Sequence, residues 1–246
     1  MGLFSQKIKR SDTEALHPED ERRHHWRHRR SAMEWQYHKS GRYALRRFFK
    51  WNIMDRLENV FAYGLRVTGL YRRGLQNARH IVLNTLDLHF SRLPASFDGY
   101  RLLHLTDPHL DMLNGIEALI CNKIKGLNID LCVLTGDYRM RTHGKYQQIL
   151  DPMKRIIDTV NAKDGIIGIL GNHDPHDLVG DLEAMGMTVL INETRTISRG
   201  GEQIAVTGLD DPHDYYTPQA KEALEATADE FKMALVHSPE MYDVAE

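Results

Sequence analysis

Residues 165–174 read GIIGILGNHD, an apolar run that ends in Asn172, His173 and Asp174. A short continuous apolar run of this kind is typical of a strand that is buried on both faces of a sheet. The three side chains after the run offer an amide oxygen, an imidazole and a carboxylate, all of which can bind divalent cations. The stretch therefore predicts a buried strand that delivers polar groups to one edge of a sheet.

Four other apolar runs end in polar loops in the same way. They are YRLLHLTDPH (100–109), DLCVLTGDYR (130–139), EQIAVTGLDD (202–211) and FKMALVHS (231–238). The five ends are marked by Asp107, Asp137, Asp174, Asp211 and His237. Stretches with helical periodicity, at 115–127 and 146–162, lie between the runs. Alternating strands and helices predict an α/β domain whose functional loops follow the carboxyl ends of the strands.

Two further patterns predict strands outside this alternation. Leu86, Leu88 and Phe90 alternate with polar residues in NTLDLHFSRLP (84–94), which indicates a strand that ends at Pro94. Two strand-like stretches in residues 187–209 surround a Gly-Gly pair at 200–201. This arrangement predicts a hairpin and a partly antiparallel second sheet.

The polar ends of the runs predict a metal site. Asp107 and His109 are two residues apart, so an extended backbone places a carboxylate and an imidazole on one side. Asp137 follows a glycine, which allows close approach to the backbone, and His237 adds a further imidazole. One aspartate after a strand is usually a turn former or a helix cap. Five such ends in one domain favour a shared cation site.

The motifs DPH, GD, GNHD and the strand-end histidine resemble those of the calcineurin-like metallophosphoesterase superfamily. Its usual order is D-x-H, G-D, G-N-H-[DE], H and G-H-x-H, and the resemblance covers roughly residues 80–246. LPASFDGYRLLHLTDPHLD (93–111) is similar to a subgroup of bacterial membrane-associated phosphoesterases, which includes hydrolases of UDP-diacylglucosamine in lipid A synthesis.

The resemblance implies a four-layer αββα sandwich with two divalent metal ions, of manganese, iron or zinc, at the sheet ends. It places Asp107 and His109 on the first ion, Asp137 between the ions, and Asn172 and His237 on the second. The implied reaction is hydrolysis of a phosphoester or pyrophosphate bond in a nucleotide or lipid-linked substrate.

The resemblance also implies roles for residues that are not ligands. His173 would stabilise the transition state and protonate the leaving oxygen, and Asp174 would orient it. Apart from the resemblance, Arg139 and Arg141 follow Asp137 closely in the sequence, so they would contact phosphate or else belong to a solvated loop. Residues 208–214, with Asp211 and His213, resemble a loop that borders the site. They are equally consistent with a turn before a helix that begins near Thr217.

The final G-H-x-H motif of the superfamily does not occur in the 246 residues. The resemblance therefore predicts a C-terminally truncated member, with impaired metal binding and low activity. The alternative is a non-catalytic protein that binds a membrane or a partner through a degenerate phosphoesterase scaffold.

The first 80 residues differ in charge from the rest of the chain. They hold 18 Lys and Arg against 8 Asp and Glu, whereas residues 81–246 hold 14 against 26. We interpret 1–80 as a basic, partly helical extension and 81–246 as the phosphoesterase domain. Residues 45–61 have amphipathic helical periodicity, and 22–63 suit an anionic membrane surface or an ordinary packed helix.

The acidic domain argues against nucleic acid as a partner. Two isolated cysteines indicate a reducing compartment, and from the sequence we expect neither a signal peptide nor a membrane-spanning helix. We therefore expect a cytoplasmic protein at the inner face of a membrane.

Overall fold

The structure is a computed structural model that describes residues 18–39, 57, 59–226 and 231–241. Most of the amphipathic pattern at 45–61 lies outside the described residues, so the helix expected there stays a prediction. Within them, residues 59–67 are helical and constitute helix α2.

The first sheet consists of four parallel strands. They are β1 (Leu102–Leu105), β2 (Leu131–Leu134), β3 (Ile166–Gly168) and β4 (Thr188–Val189), in the spatial order β1-β2-β3-β4. The register pairs Leu102 with Leu131 and Cys132 with Ile166. Because neighbours are parallel, their carboxyl ends meet at one edge of the sheet. Three of these strands were expected from the sequence, and the two-residue β4 was not.

The second sheet contains β5 (Glu193–Arg199), β6 (Glu202–Gly208) and β7 (Lys232–Leu235). β5 and β6 are antiparallel, and β6 and β7 are parallel. Gly200 and Gly201 both have positive φ, at 59° and 84°, as a two-residue hairpin turn of this hand requires. The predicted hairpin and mixed second sheet are therefore confirmed.

Most of the helices cover the outer faces of the two sheets, but α3 (Leu70–Ala78) has no buried residue. The described helices with complete bounds are α1 (Pro18–Lys39), α3 (Leu70–Ala78), α4 (Ile116–Ile124), α5 (Leu150–Thr159), α6 (Leu178–Ala184) and α7 (Pro218–Glu225). Short 3-10 turns lie at Ala95–Phe97, Gln147–Ile149 and Pro239–Met241.

Alternation along β2 shows how the layers stack. Cys132 and Leu134 belong to an apolar cluster that includes residues of α4, α5 and α6, whereas Leu131 and Val133 belong to a cluster with residues of β5 and β6. A third cluster joins Leu209 to α7. The order is therefore helices, first sheet, second sheet and helix, and the α/β sandwich expected from the sequence is confirmed.

Helix α1 packs on this sandwich. Arg23 donates hydrogen bonds to the Val189 carbonyl and to Glu193, and Arg29 donates to Gln219. Trp26 is buried in the same apolar cluster as α4, α5 and α6. Part of the basic charge of 22–63 is thus paired with carboxylates of the chain itself. None of the helices in the described ranges combines the length and apolarity needed to cross a membrane.

The strand expected at 84–94 is not formed. Residues 81–90 have no regular secondary structure, and Leu86, Leu88 and Phe90 are exposed. Alternation predicts a strand only if a neighbouring strand supplies hydrogen bonds, and the described residues pair no strand with this segment.

Candidate metal centre

The polar side chains expected at the site follow four strands. Asp107 and His109 come after β1, Asp137 after β2, Asn172 and His173 after β3, and His237 after β7. β1, β2 and β3 are neighbours in one sheet, and β7 ends at the same region from the second sheet. The sandwich therefore brings six of the residues singled out in the sequence to one place.

Two glycines allow the loops after β2 and β3 to touch. A Cβ on Gly136 would lie 2.2 Å from the nitrogen of Gly171, and a Cβ on Gly171 would lie 2.2 Å from Oδ1 of Asp137. Real Cβ atoms do not approach other heavy atoms this closely. The loops can therefore pack backbone against backbone only because both positions lack a side chain.

The loops after β1 and β2 are also held together by their backbones. Asp107 donates its N–H to the Gly136 carbonyl at 3.1 Å, and His109 donates to the Asp137 carbonyl at 3.2 Å. Asp107, His109 and Asp137 all have positive φ, of 49°, 37° and 55°. Residues in this region cost free energy and are concentrated at functional sites. The strained loops turn three side chains towards a common point.

The side chains form two clusters that share Asp137. One contains His109, Asp137 and His173, and the other contains Asp107, Asp137 and His237; the offered ligand atoms within each lie within 4.8 Å of one another. Zinc binds imidazole and carboxylate at about 2.0–2.2 Å, so ligands of one ion lie about 4 Å apart or closer. Each cluster is thus near the spacing that a bound cation requires.

The ring of His237 has its lone pair directed into the site. Its Nδ1 lies 2.8 Å from the Thr135 carbonyl, which can only accept, so Nδ1 carries the proton. Its Nε2 lies 3.2 Å from Oδ1 of Asn172 and 3.4 Å from Oδ1 of Asp137. When the His237 ring is neutral, its Nε2 is an acceptor, and it faces two other acceptors, Oδ1 of Asn172 and Oδ1 of Asp137, with no hydrogen-bond donor between the three atoms. A cation satisfies such a set, so the residues present fit a metal ion.

His109 supports the same interpretation. Its Nε2 is 3.8 Å from Oδ1 of Asp107 and 3.8 Å from Oδ2 of Asp137. Its Nδ1 is buried without a hydrogen-bond partner among the described residues. Nε2 is therefore the ring nitrogen in position to bind a cation together with the two carboxylates.

His173 is placed as a neighbour of the cation site. Its Nδ1 hydrogen bonds to the Met140 carbonyl, and its Nε2 lies 3.8 Å from Oδ2 of Asp137. Nε2 therefore faces the centre, either as a ligand or as the atom that carries a proton in the imidazolium form. The sequence resemblance implied only the acid role.

Asp174 differs from its expected role of orienting His173. Its carboxylate accepts the backbone N–H groups of Asp137 at 2.7 Å, Tyr138 at 3.0 Å and Gly171 at 2.9 Å. Burial raises the pKa of Asp174 to about 6, although these three hydrogen bonds favour the charged form. Asp174 thus joins the loops after β2 and β3, while the Met140 carbonyl holds the His173 ring.

Arg139 lies in neither a solvated loop nor a metal cluster. It is buried, and its guanidinium donates to the carbonyls of His173 at 2.8 Å and Gly144 at 3.0 Å. Arg141 is exposed, and its backbone N–H faces Oδ2 of Asp111. Contact of Arg141 with phosphate stays a prediction.

Residues 208–214 form a buried turn before α7. Asp211 accepts hydrogen bonds from Ser238 Oγ and from the Asp214 backbone, both at 2.9 Å, and His213 is an exposed partner of Glu240. α7 begins immediately after Thr217, as the turn interpretation predicted. Neither Asp211 nor His213 belongs to the two clusters.

Residues of α1 that support the site were missed by sequence reasoning. The Arg30 side chain is fully buried and donates to the carbonyls of Gly171 at 3.1 Å and Asp174 at 2.9 Å. Its guanidinium carbon lies 3.2 Å from the ring centre of Tyr215, and it pairs with the buried Asp210. In a helix with many basic residues, nothing in the sequence distinguishes this arginine from its exposed neighbours.

Several known proteins are similar to this chain. It is 30% identical over 162 residues to the uncharacterized metallophosphoesterase YkuE of Bacillus subtilis (strain 168), an alignment that covers 61% of this chain and spans about half (54%) of that relative's length. Among solved structures, it resembles the 5'-nucleotidase precursor of Thermus thermophilus, with a TM-score of 0.38, 18% identity and coverage of 56% of this chain and 36% of that one. The Haemophilus influenzae NAD nucleotidase has a TM-score of 0.41, 20% identity and coverage of 60% and 36%.

The family match extends over residues 100–241, which contain both clusters and all four strand ends that supply them. Since this match covers more than half of the sequence, the chain belongs to the calcineurin-like phosphoesterase family of hydrolases.

Proposed function

We propose that the protein is a metal-dependent hydrolase of a phosphoester or pyrophosphate bond, acting through a dinuclear centre. The observation that carries the proposal is the position of Asp137, which is common to both clusters. One carboxylate between two cation positions offsets the repulsion between two like charges. Paired divalent ions at such a site polarise a phosphoryl oxygen and lower the pKa of a water nucleophile.

The residues of the site fall into two groups: most would bind the cations, and one would transfer a proton. Three further residues supply metal-ligand atoms on either side of Asp137: Asp107, His109 and His237. Asn172 adds an amide oxygen beside His237. His173 faces the same point from the loop after β3, where a protonated Nε2 is in position to donate to a leaving oxygen.

The types of ligand atom in the site limit the cations that it can bind, but they do not select a single metal. Mixed imidazole, amide and carboxylate donors suit Mn²⁺, Fe²⁺ and Zn²⁺, in contrast to the all-oxygen sets of calcium sites. We propose a phosphorylated small molecule, nucleotide or lipid-linked compound as the substrate, because the site can be reached from solvent: the side chain of Asp107 is 47% exposed.

The proposal is tested by metal titration of chelator-treated protein. Mn²⁺, Fe²⁺ and Zn²⁺ are added separately, and hydrolysis of bis(p-nitrophenyl) phosphate and p-nitrophenyl phosphate is followed. We expect activity to rise with bound metal and to disappear with chelator. Two ions per chain by elemental analysis would support the dinuclear centre and would contradict the impaired metal binding that the absence of G-H-x-H predicts. Metal binding without hydrolysis of either substrate would favour the alternative of a non-catalytic scaffold.

We further propose that residues 57–79, which overlap the end of the segment 22–63 predicted from the sequence, attach the protein to an anionic membrane surface. Leu57, Val60, Phe61, Val67 and Leu70 are exposed, and α3 has no buried residue. Residues 57–79 contain four arginines and one acidic residue, Glu58. Exposed apolar side chains interleaved with arginine suit the boundary between headgroups and acyl chains of anionic lipid.

Vesicle sedimentation checks this attachment. We expect binding to phosphatidylserine-containing vesicles that weakens with added salt, and little binding to phosphatidylcholine alone. Phe61→Asp should reduce binding because it places a charge on the inserted face, whereas Tyr216→Phe, at an exposed ring outside 57–79, should not. Equal binding of both variants would contradict the proposal.

A further inference from the structure

Asp111 lies two residues after His109 in the loop that follows β1, and it belongs to neither of the two metal clusters. Its place beside the loop after β2 is fixed by its neighbour. Leu110 is buried and donates its backbone N–H to the Tyr138 carbonyl at 2.9 Å. The two loops therefore run side by side, and the Asp111 carboxylate lies beside the residues that follow Tyr138.

The Asp111 carboxylate holds the backbone on both sides of Met140. Its Oδ1 accepts the Met140 N–H at 2.6 Å, and its Oδ2 faces the Arg141 N–H at 3.5 Å. The Met140 side chain is 44% exposed and Arg141 is exposed, so burial of apolar surface contributes little to fixing this segment. The position of the Met140 carbonyl therefore depends on its bonds with Asp111.

The Met140 carbonyl in turn holds the ring of His173 through Nδ1. A carbonyl can only accept, so Nδ1 carries the proton, and Nε2 faces Oδ2 of Asp137 at 3.8 Å. Asp174 does not hold the ring, because its carboxylate accepts three backbone N–H groups instead. A chain of hydrogen bonds thus runs from Asp111 through the Met140 backbone to the His173 ring.

We propose that Asp111 is a positioning residue that orients His173 through the backbone of Met140. The proposal rests on the proposed function, in which the P–O ester bond breaks and its electron pair goes to the leaving oxygen. That oxygen takes the proton from Nε2 of His173, which can deliver it only while the ring keeps its orientation. Asp111 acts through His173 and does not itself touch the reacting atoms.

The first test varies the need for a proton on the leaving oxygen. Phenyl and p-nitrophenyl phosphate, or the corresponding diesters, are hydrolysed by Mn²⁺-loaded protein; phenolate needs the proton more than p-nitrophenolate does. General acid catalysis contributes about 10²–10⁴-fold, and Asp111→Ala misplaces the acid without removing it, so kcat for the phenyl ester should fall about tenfold. The kcat for the p-nitrophenyl ester and both KM values should change by less than about twofold. Asp111→Asn keeps an acceptor for the Met140 N–H and should retain most of the rate.

Nuclear magnetic resonance tests the orientation of the ring without hydrolysis. Long-range ¹H–¹⁵N spectra of protein labelled with ¹⁵N-histidine show which ring nitrogen carries a proton, and the signal missing in His173→Gln identifies His173. The full chain is measured with diamagnetic Zn²⁺ at about pH 8, where an ordinary imidazole is neutral. We expect the proton on Nδ1 in wild type and Asp111→Asn, and shared between Nδ1 and Nε2 in Asp111→Ala.

The control is Asp158→Ala, which removes an exposed carboxylate from α5 and should leave kcat and the ring proton unchanged. Asp111→Ala should bind Mn²⁺ with wild-type affinity, because Asp111 belongs to neither cluster. Loss of Mn²⁺ affinity, an equal loss of rate with both esters, or a proton that stays on Nδ1 in Asp111→Ala would overturn the role of Asp111. A wild type that hydrolyses neither ester would overturn the proposed function instead, and the position of the ring proton would then decide whether Asp111 orients His173.

Discussion

Asp137→Asn is expected to abolish metal-dependent hydrolysis and to lower Mn²⁺ affinity by at least about 100-fold. Loss of a group that merely supports a ligand costs 10–100-fold in affinity, and Asp137 belongs to both clusters. Asparagine keeps the size of the side chain and the acceptor for the His173 N–H, which lies 3.0 Å from Oδ1. It also tolerates the positive φ of 55° better than most residues. The substitution therefore removes charge and leaves the backbone in place.

Thermal unfolding separates the loss of metal from the loss of structure. A cation at 100 times its dissociation constant stabilises the native state by about 2.7 kcal/mol, which raises the melting temperature by roughly 5–10 °C in a chain of this size. We expect wild type to gain this increment on Mn²⁺ addition and Asp137→Asn to gain none. Without metal, the variant should melt no lower than wild type, because it removes a buried negative charge.

The control is Asp158→Asn, which makes the same charge change at an exposed ion pair with Lys154 on α5. It should retain both the metal-induced stabilisation and the activity, since exposed pairs contribute little. An Asp137→Asn protein that binds Mn²⁺ within a few-fold of wild type would show that the clusters do not share this ligand.

The strand ends were predictable because two independent signals coincide there. A buried strand must be a short apolar run, and a cation site must collect carboxylate, amide and imidazole groups. Asp137 and His237 carry both signals, and the structure places their side chains 3.4 Å apart although they are distant in the sequence. The Gly200–Gly201 turn was predictable for a similar reason, since only glycine readily adopts two consecutive positive φ values.

Other features of the fold and the site could not be predicted, because they depend on contacts between residues that are distant in the sequence. The alternation at 86–90 has the period of a strand, but pairing needs a neighbour with unpaired backbone groups. The role of Asp174 depends on how closely the loops at Gly136 and Gly171 approach, because that approach brings three N–H groups to its carboxylate. Likewise, Arg139 faces carbonyls instead of solvent because the loop at 144 folds back over it.

Arg30→Met is expected to destabilise the protein by about 3–5 kcal/mol. Asp210 would lose its buried partner, and removal of one member of a buried ion pair leaves an uncompensated charge. The carbonyls of Gly171 and Asp174 would also lose the donor that lies 3.1 and 2.9 Å away. The free energy of unfolding, measured with urea at pH 7, tests this value against Arg29→Met, whose arginine is exposed and bonds to Gln219.

The pH dependence tests whether Asp210 contributes to this loss, although Arg30 also lowers the pKa of Glu34 and of His176. Burial raises the pKa of Asp210, and Arg30 and Trp26 oppose that rise. An acid whose pKa is higher in the folded state than in the unfolded state destabilises the fold as it loses its proton. Without Arg30 the pKa rises further, so the variant should lose more stability than wild type as the pH increases from 5 to 8. A stability difference that is constant over this range would exclude Asp210 as the source.

A double variant extends the argument to the metal centre. Arg30→Met with Asp210→Asn removes the uncompensated charge, so it should recover part of the stability that Arg30→Met loses. It should not recover Mn²⁺ affinity, because the carbonyls of Gly171 and Asp174 still lack their donor and the loop that carries Asn172 has lost its contacts with Arg30 of α1. Recovery of stability and metal affinity together would mean that Arg30 acts on the site only through the stability of the fold. Recovery of stability alone would show that α1 positions the metal-binding loop directly.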